Sequence, residues 1–165
     1  MSIDTPEYFN GTFLKKNKVF YRHYQNNIIN RCKNKNSLVV LPTGLGKTII
    51  GILQIANCLK KYNPFGKVII LAPTRPLVSQ HKASCEKFID IEKEKIAILT
   101  GKISPEKRIN KFNESRIIVS TPQVIKNDLI RGRYDLKQVI LIIFDEAHRT
   151  KGNYAYNFIS EEYIN

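Results

Sequence analysis

Two short segments, far apart in the chain, carry residue types suited to phosphate chemistry. The first is Leu41-Pro42-Thr43-Gly44-Leu45-Gly46-Lys47-Thr48 and the second is Asp145-Glu146-Ala147-His148. In the first, Gly44 and Gly46 let the backbone turn tightly and approach an anion with no Cβ in the way. Successive N–H groups then point inward at the start of a helix, where the helix dipole favours negative charge. Lys47 is expected to reach the β- and γ-phosphates of a nucleotide, and the Thr48 hydroxyl to ligate magnesium. The pattern departs from the common phosphate loop at its first position, which is Leu41 rather than glycine. In the second segment, Asp145 is suited to bind magnesium directly or through water. Glu146 would orient and deprotonate the attacking water. His148 would sense the γ-phosphate and pass that state toward a bound strand.

Two further sets of residues complete the picture. Arg22-His23-Tyr24-Gln25 precedes the phosphate loop, and the Gln25 amide offers a donor and an acceptor that match adenine N6 and N7. His23 reads as incidental, and His81 as an exposed helix residue. Thr74-Arg75 before Pro76, Thr100-Gly101, and Thr121 before Pro122 each combine hydroxyls with a helix start. Such groups hold phosphates and fix register without reading bases, so binding should be sequence-independent and salt-sensitive.

These residues need strands and loops to gather them. Five apolar runs, 38–41, 68–71, 96–99, 117–119 and 139–144, are continuous and rich in Val and Ile. That pattern predicts strands buried on both faces of a parallel sheet. Between them lie segments fit for helices, at 47–61, 76–89, 105–112 and 122–131, with others at 24–32 and 154–163. The alternation predicts a doubly wound α/β fold. Ser104, Thr74 and Thr121, each next to a proline, predict capped helix starts. In a parallel sheet every strand-to-helix loop opens on one rim, where ligands bind. The loops at 42–48, 72–76, 100–104, 120–122 and 145–148 should therefore share an edge. Residues 1–18 read as a surface lead-in held by Tyr8, Phe9 and Phe13, and 19–165 as one domain.

The composition fits these partners. A formal net charge of +13 suits a chain that meets a polyanion, although Lys, Asn and Ile are abundant throughout and basicity alone does not decide it. Cys32, Cys58 and Cys85 have no metal-ligand spacing and suit a reduced cytosolic compartment. The N-terminus lacks the pattern of a secretory signal, and no apolar run is long enough to span a membrane.

LPTGLGKT, APTRPLVSQH, LTGKISPEKR, STPQVIKNDL and IIFDEAHRTKGNYAY together resemble the first RecA-like domain of superfamily 2 helicases, and most closely the Hef/FANCM-type DNA helicases. YRHYQ is similar to the adenine-reading segment of that group. The resemblance implies a RecA-like fold, magnesium-dependent ATP hydrolysis, and a forked or branched DNA substrate. It implies nucleotide contacts at Arg22, Gln25 and residues 41–48, and nucleic-acid contacts at Thr74, Arg75, Gln80, Thr100, Gly101 and Thr121. The RNA-directed RIG-I/Dicer relatives share much of the pattern. The family's motif III and its second RecA-like domain, with an arginine finger, have no counterpart in these residues. The sheet is thus expected to keep a gap, or an open edge that a second copy could pair. The chain alone is expected to bind ATP weakly and turn it over near background. A non-catalytic nucleic-acid-binding remnant is the alternative from another class, while a phosphate-loop kinase would have no need for PTRPLVSQH or DEAH.

Overall fold

The computed structural model describes residues 5–62, 64–150 and 154–165. Residues 1–4 of the expected lead-in and 151–153 of the segment after DEAH lie outside the described residues.

The elements, in order, are β1 (Tyr8–Gly11), β2 (Leu14–Phe20), α1 (His23–Cys32), α2 (Lys47–Lys61), β3 (Lys67–Leu71), α3 (Arg75–Phe88), β4 (Ile96–Leu99), α4 (Pro105–Glu114), β5 (Ile117–Ser120), α5 (Pro122–Ile130), β6 (Val139–Phe144) and α6 (Tyr154–Ile164). Short 3₁₀ turns lie at Lys93–Lys95 and Ala147–Thr150. Strands β4, β5, β3 and β6 form one sheet in that spatial order, and every pairing in it is parallel. The fold is the doubly wound α/β arrangement that the alternation predicted, and it agrees with the RecA-like fold that the resemblance implied.

Burial explains why the strand runs are continuous rather than alternating. Strand β3 is buried at all five positions. Val68 and Ile70 face a core shared with Ile50, Leu53, Val78 and Cys85, whereas Ile69 and Leu71 face a second core with Phe112, Ile125, Tyr156 and Ile159. Both faces of the pleat are covered by helices, so both sets of side chains must be apolar.

One expected strand is absent. Residues 38–41 run without ladder partners, and the sheet stops at β6 on that side among the described residues. Val39 and Leu41 still pack on the core, while Leu38 and Val40 are 75% and 80% exposed. The segment thus keeps the period-two pattern of a strand without a neighbour, and it is the ladder hydrogen bonds that define a strand.

The stretch read as a surface lead-in carries the antiparallel β1–β2 hairpin. Leu14 bridges Ile89, and the Asp90 N–H donates to the Phe13 carbonyl at 2.9 Å, which docks the hairpin on the end of α3. Cys32, Cys58 and Cys85 are all free thiols, and burial pushes Cys85 up to about 12. Among the described residues no helix is long and apolar enough to cross a membrane.

Candidate active site

The phosphate loop is shaped by two glycines. Gly44 and Gly46 have φ of +87° and +78°, a region that residues with a Cβ enter only under strain. Gly46 immediately precedes α2, whose first turn has no side-chain cap. The unpaired N–H groups of that turn are open to an anion. Lys47 and Thr48 head the helix and are exposed, while Ile50, Leu53 and Ile55 behind them are buried. The Tyr24 hydroxyl donates to the Leu45 carbonyl at 2.8 Å and ties the loop to α1.

The acidic pair is held from several sides. The Asp145 N–H donates to the Leu71 carbonyl at 2.9 Å, continuing the β3–β6 ladder by one bond. The Tyr156 hydroxyl donates to the Asp145 carbonyl at 2.8 Å. On the carboxylate, Oδ1 accepts from the Glu146 N–H at 2.9 Å and Oδ2 lies 2.7 Å from His81 Nε2. The His81 bond holds the Asp145 carboxyl below the usual aspartate range. Burial opposes it, and the field of His81, the Glu146 N–H and the charge of Lys47 add to the lowering. The charge of Lys47 is the smallest of these influences; the two distant segments are brought near each other by α2 packing on β6, where Ile143 Cδ1 lies 3.6 Å from the Cβ position of Gly51. Glu146 has φ of +55°, and its Oε2 lies 3.1 Å from His148 Nε2 on the open surface.

His81 corrects the sequence reading. It was expected to be an exposed helix residue, yet its side chain is only 16% exposed and it bonds Asp145. The signal is its spacing. Val78, His81 and Cys85 fall on one face of α3, and both flanking residues are buried in the core. A polar side chain on an apolar face needs a partner, and Asp145 is that partner.

At the adenine end, Arg22 is exposed and Gln25 is buried. The Gln25 Nε2 sits 2.6 Å from where a Cβ on Gly46 would lie, and its Oε1 has no hydrogen-bond partner in the structure. Around the rim, Thr74 Oγ1 accepts from the Leu77 N–H at 3.5 Å and caps α3, with Arg75 and Gln80 exposed beside it. Ser104 and Thr121 make no side-chain cap bond, contrary to the capping expected of all three. Both have an extended ψ near 150°, so proline at the first helical position sets these starts without the hydroxyl. Thr100 and Gly101 enter a turn closed by the Ile103 N–H donating to the Thr100 carbonyl at 3.1 Å. This turn is braced from behind by Arg108, which donates to the Ile103 carbonyl at 2.5 Å and makes a bidentate pair with the fully buried Asp128. Arg133 and Tyr134 also donate to Asp128. Nothing in the local sequence marked this cluster, because its members come from three separate segments.

Comparisons with known proteins give the family and the fold. The profile of the DEAD/DEAH box helicase family matches residues 22–162. The chain belongs to that family. Among relatives, it is 48% identical over 142 residues to a Methanocaldococcus jannaschii protein named for an ATP-dependent RNA helicase activity, covering 86% of this chain and 18% of that protein. It is 42% identical over 146 residues to the Candida albicans ATP-dependent DNA helicase MPH1, covering 88% of this chain and 12% of that protein. The crystal structure of the Pyrococcus furiosus Hef helicase domain superposes with a TM-score of 0.82 at 51% identity, over 87% of this chain and 30% of that one. The chain thus spans less than a third of each of these three proteins.

The oxygen donors fit a magnesium ion carried in with a nucleotide. Magnesium takes one or two protein oxygens and completes its shell with water and phosphate, so it needs no all-protein cage. Among the described residues no group of three or more His, Cys, Asp or Glu side chains converges. A carboxylate has about four lone-pair sites. The Glu146 N–H and His81 account for two on Asp145, which leaves room for an ion or its water. Asp145 and Thr48 would hold the ion, which supplies neutralisation of phosphate charge when bound.

Proposed function

We propose that this chain is the ATP-binding part of a DNA helicase or translocase motor of the Hef/FANCM type. Joined to a second RecA-like domain, it couples ATP hydrolysis to the remodelling of forked or branched DNA. The observation that supports the reading is the packing of α2 against β6, with Ile143 Cδ1 3.6 Å from the Cβ position of Gly51, which sets the loop that starts α2 beside the acidic pair that ends β6. In this reading Lys47 and the backbone of residues 42–48 hold the phosphates, and Arg22 and Gln25 hold the adenine. Thr48 and Asp145 hold magnesium, Glu146 takes a proton from the attacking water, and His148 reports the γ-phosphate. Thr74, Arg75, Gln80, Thr100, Gly101 and Thr121 form the track for the strand. The setting is cytoplasmic and DNA-associated.

The same reading assigns slow turnover to the isolated chain, since an arginine finger from a second domain contributes about 10³–10⁵ in rate. The test measures ATPase activity with and without forked DNA, on this chain and on one extended through a second domain. Near-background turnover by the short chain and DNA-stimulated turnover by the long one are expected. Robust turnover by the 165-residue chain overturns the dependence on a second domain. The name carried by the archaeal relative supports a second reading, an RNA-directed motor. Stimulation of the extended chain by RNA and not by DNA would select it.

A further inference from the structure

We propose that His81 is a positioning residue that orients the Asp145 carboxylate for magnesium–nucleotide binding; this rests on the nucleotide-site reading above.

The geometry supports it from both partners. Asp145 is fixed at four atoms. Its N–H is held by the Leu71 carbonyl, its carbonyl by Tyr156, its Oδ1 by the Glu146 N–H, and its Oδ2 by His81. Three of these contacts involve backbone atoms or the neighbouring residue and set where the carboxylate starts. Among the described residues, His81 is the only other side chain that bonds the carboxylate, and together with the Glu146 N–H it fixes rotation about the side-chain torsions. The ionised carboxylate can only accept, so Nε2 carries the hydrogen and donates it. His81 is itself held, because Val78 and Cys85, its flanking neighbours on the same face of α3, are 2% and 1% exposed. A donor on a helix anchored this way cannot follow a swinging carboxylate and instead restrains it. Partners that orient a metal-binding carboxylate contribute about ten- to a hundred-fold in metal affinity.

A role in packing alone predicts a different outcome from a role in orientation, and magnesium separates them. The experiment titrates a fluorescent N-methylanthraniloyl-ATP into this chain with magnesium and, separately, with EDTA. It compares wild type with His81→Ala, His81→Gln and His81→Asn, and checks folding by circular dichroism. A glutamine places its amide nitrogen close to the position of Nε2, whereas an asparagine is too short to reach it. Expected is a loss of about ten-fold or more in magnesium-dependent affinity for His81→Ala and His81→Asn, with EDTA affinity unchanged and His81→Gln within about three-fold of wild type. Wild-type magnesium dependence in a folded His81→Ala overturns the proposal. If His81→Ala does not fold, equal magnesium dependence in the Gln and Asn variants overturns it. Absence of any magnesium-dependent binding by the wild-type chain overturns the nucleotide-site reading as well, which distinguishes the two failures.

Discussion

Tyr156 on α6 donates its hydroxyl hydrogen to the carbonyl oxygen of Asp145 at 2.8 Å, while its ring meets Phe144 edge-on with centroids 5.3 Å apart. One side chain therefore clamps the last residue of β6 and the first residue of the acidic segment. Tyr156 is 1% exposed and Asp145 partly buried, so the bond is largely shielded from water. The Tyr154–Tyr156 end of the run that carries part of the family resemblance thereby has a physical task. As the start of α6 it closes over the end of the strand that presents Asp145.

Tyr156→Phe separates the hydroxyl from the ring. The ring packing stays and the Asp145 carbonyl loses a donor in a partly buried setting. The expected cost is about 1–2 kcal/mol. For a chain of this size each kcal/mol lowers the melting temperature by about 2–4 °C. Differential scanning calorimetry checks it, and a variant as stable as wild type would show that the bond contributes nothing net.

Asp128 gives the largest expected stability effect outside the core. Burial alone would raise its carboxyl, but hydrogen bonds from Arg108, Arg133 and Tyr134 outweigh burial and leave it below the usual aspartate range. A folded-state value below the unfolded one means stability that is present above the unfolded value and lost as pH falls through the folded one. Asp128→Asn leaves Arg108 as a buried charge without its counter-ion, at an expected cost of about 3–5 kcal/mol near neutral pH. The gap between wild type and variant should narrow below about pH 4, as wild-type Asp128 takes up its proton. Urea titrations at pH 7 and pH 3 check both statements, and a gap of equal size at the two values would refute the ionic account.

How much of this was legible in the residues follows from the range of each interaction. The helix at 47–61 and the strands at 96–99 and 139–144 were read with their observed ends, because local periodicity and glycine or proline punctuation decide them. The strand at 38–41 was misread because its residues have the right pattern, while the ladder that makes a strand depends on a neighbour elsewhere in the chain. His81 was misread for a related reason. A histidine taken alone reads as solvated, and only its place between Val78 and Cys85 on one helix face reveals an inward direction. The Arg108–Asp128 pair could not be read at all, since charged residues in separate helices carry no local mark of pairing.

Lys47→Ala tests the phosphate loop directly. A charge-assisted hydrogen bond contributes about 1.5–3 kcal/mol, which corresponds to roughly ten- to a hundred-fold in affinity. Lys47 is exposed and carries no packing role, so the fold should be unaffected. Isothermal titration with ATP and magnesium measures the change. Unaltered affinity in a folded variant would remove Lys47 from the site.

The two loop glycines should respond unequally to alanine. Both have positive φ, so each substitution incurs about 1–2 kcal/mol of backbone strain. At Gly44 nothing lies within 4 Å of the added Cβ, and strain is the whole effect. At Gly46 the Cβ would lie 2.6 Å from Gln25 Nε2, so the buried amide must also move. That displacement acts on a residue assigned to the adenine and on the loop assigned to the phosphates. Gly46→Ala is therefore expected to weaken ATP binding about five-fold or more beyond Gly44→Ala, because displacing a buried polar group adds upward of a kcal/mol to the strain. Parallel titrations of the two variants measure the difference. Equal losses would mean that the Gln25 side chain yields freely and that only the backbone conformation of the loop matters.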